Sequence, residues 1–107
     1  MFYERKGQAI ITNAVDVMWD ATTFYEIDGM LTDDEYTYGE TFMHGAEDRW
    51  NDEIIDAIVR RYGCELRGKE IVYKILNDNI DEAVMAMIQA TTAAETCLYY
   101  MRKKTEG

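Results

Sequence analysis

The side chains in this sequence that could carry chemistry are mostly carboxylates, and they are concentrated in the first half of the chain. Thirteen of them fall between Asp16 and Asp56, where Arg49 is the only basic residue. From Arg60 onward the chain has eight basic and seven acidic side chains, so the net charge of −10 belongs to the first half. A negative field concentrated in this way repels nucleic acid and attracts cations or basic protein surfaces.

Some of these acids have a local structural explanation. Thr32, with Glu35 three residues later, matches a helix capping box, and Asp33 and Asp34 would complete an acidic first turn. Asp28 belongs to a predicted turn. Asp16 and Asp20 form the polar stripe of the first predicted helix. Six of the remaining acids carry the functional hypothesis: Glu40, Glu47, Asp48, Asp52, Glu53 and Asp56.

A docking surface for a basic partner is the main interpretation of these acids. On a continuous helix, carboxylates one turn apart lie about 6 Å apart, a spacing similar to that of phosphates along a nucleic-acid strand. Few cations stand four residues away to relieve their repulsion, and nearby tyrosines suit a protein interface. The alternative is a solvated helix face that keeps the protein soluble. The predicted partner-binding residues are Asp33, Asp34, Glu35, Tyr36, Tyr38, Glu40, Glu47, Asp48, Asp52, Glu53 and Asp56.

Two patterns are similar to metal sites. Residues 26–35 resemble the second part of an EF-hand loop, but Phe24 stands at the first ligand position and has no oxygen to offer. His44, the only histidine, could meet Glu40 and Asp48 one helical turn away on each side. Three ligands on one solvated helix make a weak site, so we expect no metal and no cofactor.

The segment Glu53-Ile54-Ile55-Asp56 resembles half of the magnesium-binding motif of the all-α nucleotide pyrophosphohydrolases. That family also needs a Glu-Glu-x-x-Glu sequence on a partner helix, and the acids upstream do not have this spacing. The resemblance implies magnesium-dependent hydrolysis of nucleotides. We keep it as an alternative and expect a protein that is not an enzyme.

The elements predicted to hold these residues are helices, because the chain has no proline and its apolar residues fit a helical period. We predict helices over residues 8–25, 33–62 and 80–103, with a break in the second near Asn51-Asp52 and its end at Arg60 to Gly63. Residues 70–76 would form a short helix or, less favoured, a strand. The fold class expected is a single all-α domain over residues 1–107, a bundle of three to five helices.

Cysteine usage and hydropathy favour a cytoplasmic protein. Cys64 and Cys97 show neither a zinc pattern nor a disulfide framework, so we expect two reduced thiols, with Cys97 in a core. The N-terminus is unlike a signal peptide, and the chain has no span long and apolar enough for a membrane. A heptad seam on the last helix, from Ile80 to Met101, favours the core but leaves open a homodimer through this helix.

The functional hypothesis is a small acidic inhibitor that docks on the basic nucleic-acid-binding surface of another protein and does not itself bind nucleic acid. In size, charge and helicity it is similar to the DNA-mimic anti-restriction and anti-CRISPR proteins of phages and mobile elements. A helical dimeric structural or adaptor protein is the first alternative. The magnesium-dependent pyrophosphohydrolase is the second.

Overall fold

The protein folds around a six-stranded antiparallel sheet with helices packed on one face. The computed structural model describes residues 2–16 and 20–100. The strands are β1 (Tyr3–Lys6), β2 (Ala9–Val15), β3 (Ala21–Ile27), β4 (Met30–Thr32), β5 (Glu65–Arg67) and β6 (Glu70–Lys74). The helices are α1 (Tyr36–Met43), a short 3-10 turn (Glu47–Arg49), α2 (Asp52–Arg60) and α3 (Ile80–Tyr99). The prediction of an all-α bundle is therefore wrong, and the fold is α+β.

Most of the thirteen acids between Asp16 and Asp56 lie in the connection between β4 and β5, outside the sheet. Neighbouring strands pair in the order β1-β2-β3-β4-β6-β5, and every pair is antiparallel. The turn between β3 and β4 is Asp28-Gly29, with φ of 51° and 78°, as a two-residue type I′ hairpin requires. Between β4 and β5 the chain leaves the sheet and forms α1, the 3-10 turn and α2.

One face of the sheet forms the hydrophobic core. Ile10 pairs with Phe24 and Leu31 pairs with Tyr73 across neighbouring strands, and all four are buried. The buried side chains of α2 and α3 complete the same cluster. Each large apolar side chain buried in this way contributes about 1.5–3 kcal/mol relative to an exposed one. The α3 side of the core includes Val84, Met87, Ala90, Ala94 and Leu98.

Residues 8–25, predicted as a helix, form most of the β2–β3 hairpin instead. Along β2, Ile10 and Thr12 are buried while Ile11 and Asn13 are more exposed, which is the alternation of a strand. The segment is rich in Ile, Thr, Val, Phe and Tyr, which favour strands. The apolar residues of this segment are so closely spaced that they also fit the 3.6-residue period of a helix, which explains the wrong prediction. The EF-hand resemblance at residues 26–35 also fails, because Asp28-Gly29 is the tight hairpin turn.

Residues 33–62 are not one helix. The predicted break near Asn51 is present: the Asn51 side chain accepts a hydrogen bond from Ile54 N (3.1 Å) and caps α2. A second break, which the sequence does not predict, follows α1, where Gly45 has a φ of 65°. The capping box is also absent, because Thr32 ends β4 and α1 begins only at Tyr36. Consequently no rigid acidic helix carries Glu40 to Asp52 on one side.

The second half agrees better with prediction. Residues 70–76 contain β6, so the helix favoured there is wrong and the strand alternative is correct. Strand β5 precedes it at Glu65–Arg67. Helix α3 begins at Ile80 as predicted, with the Asn79 side chain accepting from Glu82 N (3.1 Å). The predicted end of this helix, at 103, lies outside the described residues. Within the described residues, no helix combines the length and apolar character that crossing a membrane requires.

Candidate protein-binding surface

Three aromatic rings meet at the surface where α1, the 3-10 turn and the start of α2 come together. Tyr38 contacts Phe42 one turn later on α1, with ring centroids 5.0 Å apart, and Trp50 before α2, with centroids 4.9 Å apart. Both contacts are edge-to-face, the arrangement that aromatic pairs prefer. We call Tyr38, Phe42 and Trp50 the aromatic patch. Phe42 is 56% exposed and the neighbouring Met43 is 80% exposed, so this patch presents apolar surface to solvent.

Polar contacts hold the aromatic patch in place. Trp50 Nε1 donates a hydrogen bond to Asp52 Oδ1 (2.7 Å), and Lys69 Nζ contacts the same oxygen (2.6 Å). Lys69 Nζ also lies 5.3 Å from the centroid of the Tyr38 ring, within cation–π range. The hydrogen bond from Lys69 keeps the pKa of Asp52 below its usual value. The rings are therefore pre-positioned, and the lysine beside them is already engaged.

Carboxylates adjoin the aromatic patch without matching cations. Glu47 and Asp48 lie in the 3-10 turn, are exposed, and form no ion pair with any residue in the described ranges. With Asp52, which does pair with Lys69, they form what we call the acidic rim. Arg49, next to them in sequence, directs its Nη1 to the carbonyl oxygen of Leu98 at 2.9 Å. That contact connects the 3-10 turn to the end of α3. Arg49, the only basic residue between Asp16 and Asp56, therefore has a backbone oxygen as its partner.

Two predicted surface acids are buried instead. Asp33 is 2% exposed, and its carboxylate accepts hydrogen bonds from the backbone N–H groups of Ile71 (2.9 Å), Glu35 (3.1 Å) and Thr37 (3.2 Å). Burial raises the pKa of Asp33, while these hydrogen bonds oppose the rise. Glu40 is 4% exposed. Neither side chain can contact a docking partner, and the role of Asp33 is to join β6 to the start of α1.

The remaining predicted residues divide between several places. Three of them are exposed at the start of α1: Asp34, Glu35 and Tyr36. A helix rises about 1.5 Å per residue, so these three lie about 12 Å from the C-terminal end of α1. Asp56 accepts a hydrogen bond from Leu66 N (2.9 Å) and pairs with Arg60 (2.6 Å), so its main role is to connect α2 to β5. The contact with Arg60 lowers the pKa of Asp56. Glu53 is exposed in the first turn of α2, next to the acidic rim.

The buried Glu40 belongs to a cluster of carboxyl groups drawn from distant parts of the chain. Asp16 at the end of β2 and Glu95 on α3 are both 8% exposed, and they line a cavity of about 20 Å³ together with Glu40. Burial first, and then the negative charges of Asp16, Glu95 and Asp20, raise the pKa of Glu40 to about 7. Glu40 and Glu95 also share a hydrogen bond, which requires one of the two groups to carry a proton.

Two tyrosines complete this carboxyl cluster. The Tyr36 hydroxyl donates a hydrogen bond to Asp16. Burial, together with the negative charges of Glu40 and Asp16, raises the pKa of Tyr36 to about 12. Burial and the same carboxyl groups raise the pKa of Tyr99 to about 12. Both phenols therefore stay protonated at neutral pH. The Tyr99 hydroxyl is buried and makes no hydrogen bond within the described residues. The cluster explains how Glu40, the one carboxylate of α1, can be buried where this helix packs against the core.

The predicted metal arrangements are not formed by the described residues. The Glu40–His44–Asp48 set is broken because Glu40 points inward and α1 ends before Asp48; the His44 ring instead lies 6.2 Å from that of Tyr99. No group of three His, Cys, Asp or Glu side chains in the described ranges is arranged to hold a metal ion. Glu53 and Asp56, the half-motif similar to the pyrophosphohydrolases, stand on a helix of an α+β fold, so the all-α context of that resemblance is absent.

Sequence reasoning misses the apolar half of this surface. The predicted partner-binding residues include Tyr38 but neither Phe42 nor Trp50. The sequence gives little signal for Phe42, because on the predicted helix it lies one turn from Ala46, at the edge of the apolar face rather than among the acids. Comparison with protein-family models, curated proteins and solved structures gave no match, so the function is inferred from the geometry of this chain.

Proposed function

We propose that this chain is a small acidic inhibitor that docks on the basic nucleic-acid-binding surface of another protein. It would act as a phage or mobile-element anti-defence protein does, for example against a CRISPR nuclease or a restriction enzyme, and it would not be an enzyme. The observation that carries the proposal is the aromatic patch, with its exposed Phe42, beside an acidic rim in which Glu47 and Asp48 have no ion pair within the described residues. This combination supports a protein-binding role.

The two parts of the surface would contribute differently to binding. Aromatic side chains held at a surface in a fixed conformation are typical centres of binding energy, because they bury a large area with little loss of entropy. The rim carboxylates and the net charge of −10 would steer the protein toward a basic surface and raise the association rate. Binding would therefore combine an apolar centre with electrostatic attraction around it.

A nucleic-acid-binding surface matches this combination better than an arbitrary basic patch does. Proteins that bind single strands combine positive charge for the backbone with aromatic side chains on which bases stack. An aromatic ring next to carboxylates, such as Trp50 at the end of the turn that carries Glu47 and Asp48, would offer both contacts at once. The surface is compact and built from three short elements, so it would imitate a base with its phosphates rather than the regular backbone of a duplex.

The test compares two double variants with the same loss of charge. The immobilised chain is incubated with nuclease-treated bacterial lysate, the retained proteins are identified and purified, and their affinities are measured. Replacing Glu47→Gln and Asp48→Asn removes two charges from the rim; Asp28→Asn and Asp78→Asn remove two exposed charges elsewhere. Each exposed charge pair is worth up to about 1 kcal/mol, so we expect the rim variant to bind about 5- to 30-fold more weakly at low salt.

The control variant should bind as the unchanged chain does, because the charges it removes lie away from the surface. Phe42→Ala should also weaken binding, and the effect should persist at high salt because it removes apolar contact. Equal affinity of the rim variant and the unchanged chain would refute the proposal. So would equal weakening in both double variants, which would show that only the total charge matters.

A further inference from the structure

Helix α1 is attached to the rest of the protein without a buried apolar face. The side chains that it buries are Thr37, Glu40 and Thr41, and none of them is apolar. Phe42 and Met43 point outward instead, with 56% and 80% of their surface exposed. Helices in proteins are stabilised mainly by packing an apolar face, so the attachment of α1 depends to an unusual degree on polar contacts.

Hydrogen bonds to buried carboxyl groups hold the inner side of α1. Asp33 Oδ2 accepts a hydrogen bond from the N–H group of Thr37 (3.2 Å) at the start of the helix. At the middle of the helix, Glu40 shares a hydrogen bond with Glu95 of α3, and one of these two carboxyl groups must carry a proton for that bond to exist. When both are ionised, the bond is replaced by repulsion between two buried charges.

Within the described residues, the groups around Glu40 provide no positive charge to offset its ionisation. The charges that act on Glu40 are negative and belong to Asp16, Asp20 and Glu95. Helix α1 also packs against the 3-10 turn and β6. In the turn, Arg49 donates its hydrogen bond to a carbonyl oxygen at the end of α3 (2.9 Å).

The ionisable side chains of β6 are directed elsewhere. Tyr73 donates a hydrogen bond to Glu82 of α3 (3.0 Å). Glu70 accepts one from Thr32, and Lys74 is exposed. The titratable groups that face Glu40 or line the same cavity are therefore acids and phenols: Asp16, Asp20, Asp33, Tyr36, Glu95 and Tyr99.

Both ends of α1 are joined to the rest of the chain by residues with left-handed backbone. Asp34 and Glu35 precede the helix with φ of 54° and 62°, and Gly45 follows it with φ of 65°. Glutamate adopts this conformation only where the surrounding structure imposes it, whereas glycine adopts it freely. Release of α1 therefore relieves strain at its start and needs only backbone rotation at its end.

We propose that a proton shared by Glu40 and Glu95 keeps α1 on the core, and that loss of this proton releases the helix locally. Release takes the aromatic patch apart, because Tyr38 and Phe42 lie on α1 while Trp50 follows the 3-10 turn. For binding, a step that rests on the proposed function, the chain then holds its basic partner more weakly at pH 8 than at pH 6. Binding falls in proportion to the fraction of chains with α1 in place.

The test is amide hydrogen exchange measured by NMR at pH 6 and pH 8 and corrected for the intrinsic exchange rates. The reporters are Gly39 N–H, which donates to Glu35 O (2.8 Å), and His44 N–H, which donates to Glu40 O (3.1 Å). They should exchange about tenfold or more faster than residues 84–94 of α3, because local release does not need global unfolding. The pKa of Glu40 is about 7 in the folded protein and 4.5 ordinarily, so release should become about tenfold more frequent from pH 6 to pH 8.

Three variants separate the shared proton from other effects of pH. Glu40→Gln cannot ionise and should make exchange in α1 independent of pH, while His44 is unchanged in it. Asp28→Asn removes an exposed charge from the β3–β4 turn and should behave as the unchanged chain does. Glu95→Gln removes a charge that raises the pKa of Glu40, so the rise in exchange should move to lower pH.

Three results of the exchange measurement would overturn the proposal. The first is an equal pH dependence in the unchanged chain and in Glu40→Gln. The second is exchange in α1 as slow as that in α3, which would show that the helix leaves the core only when the whole protein unfolds. The third is an unshifted dependence in Glu95→Gln.

The partner enters a separate measurement, so that the two proposals fail separately. The basic protein captured from lysate is purified, and its affinity for the unchanged chain and for Glu40→Gln is measured at pH 6 and pH 8. The unchanged chain should lose about twofold or more affinity relative to Glu40→Gln over this range. Equal loss would overturn the link between α1 and binding. Absence of any captured basic protein would refute the proposed function, while the exchange measurement, which contains no partner, still decides whether the proton controls α1.

Discussion

The buried carboxyl cluster predicts that the protein becomes less stable as the pH rises toward neutrality, and that one substitution removes this effect. Glu40 titrates at about 7 in the folded protein and at about 4.5 in the unfolded chain. Between these values the folded state holds a proton that the unfolded state has lost. Stability is therefore greatest below about pH 4.5 for this group, falls as the pH rises through the window, and is level above pH 7.

The size of the effect follows from this difference in pKa. A rise from 4.5 to about 7 corresponds to about 3 kcal/mol at 1.36 kcal/mol for each pH unit. We expect about 2–3 kcal/mol in practice, since Asp16, Asp20 and Glu95 face Glu40 and can share its proton. Glu40→Gln keeps the shape and can donate an amide hydrogen to Glu95. This variant should be more stable than the unchanged chain at pH 8 by that amount.

The assay is urea unfolding of both proteins from pH 5 to pH 8, with Glu47→Gln as the exposed control. The unfolding free energy of the unchanged chain and of the control should fall across this range, while that of Glu40→Gln should be much flatter. The reasoning is refuted if Glu40→Gln is less stable than the unchanged chain at pH 8. It is also refuted if the two proteins have the same pH dependence.

Other parts of the fold give further expectations. Asp33→Ala should lower the unfolding free energy by about 3 kcal/mol in urea titrations, because three backbone N–H groups lose their acceptor; a loss below about 1 kcal/mol would contradict the role of Asp33 in joining β6 to the start of α1. Gly63→Ala should cost about 1–2 kcal/mol in the same assay, because φ is 84° and a Cβ would lie 3.1 Å from the Tyr73 ring; an unchanged midpoint would argue against that geometry. Burial raises the pKa of Cys64 to about 12, whereas Cys97 is half-buried. One thiol should therefore react quickly with Ellman's reagent at pH 8 in the native protein and two in denaturant; equal native reactivity would show that Cys64 is accessible.

Local signals in the sequence are sufficient to predict where α2 and α3 begin, but they are not sufficient to predict the sheet. Asn79 and Asn51 are caps that act through neighbouring residues, so their effect can be read from a short segment. The β2–β3 hairpin depends on partners such as Phe24 opposite Ile10, and a period of 2 is hard to separate from 3.6 when nearly every residue is apolar or Thr. The pairing of β4 with β6 joins residues about 40 apart, which no local pattern shows.

The candidate site can be predicted only in part for the same reason. Glu47 and Asp48 are exposed acids, as expected, because a short polar turn needs no tertiary partner. The charge of Glu40 predicts a place at the surface, but Asp16 and Glu95 approach it from β2 and α3. Its burial is therefore a consequence of tertiary packing. The meeting of Phe42 and Trp50 with Tyr38 depends on the two breaks around the 3-10 turn, and the sequence predicts only one of these.

The measurement that tests the proposed function most directly is displacement of nucleic acid by this chain. A labelled oligonucleotide is bound to a basic protein that the chain captures, and the chain is added at increasing concentration and at several salt concentrations. We predict that it displaces the oligonucleotide, that displacement weakens as salt screens the rim charges, and that the Glu47→Gln, Asp48→Asn variant displaces it poorly. A stable complex containing protein, oligonucleotide and this chain together would contradict the account.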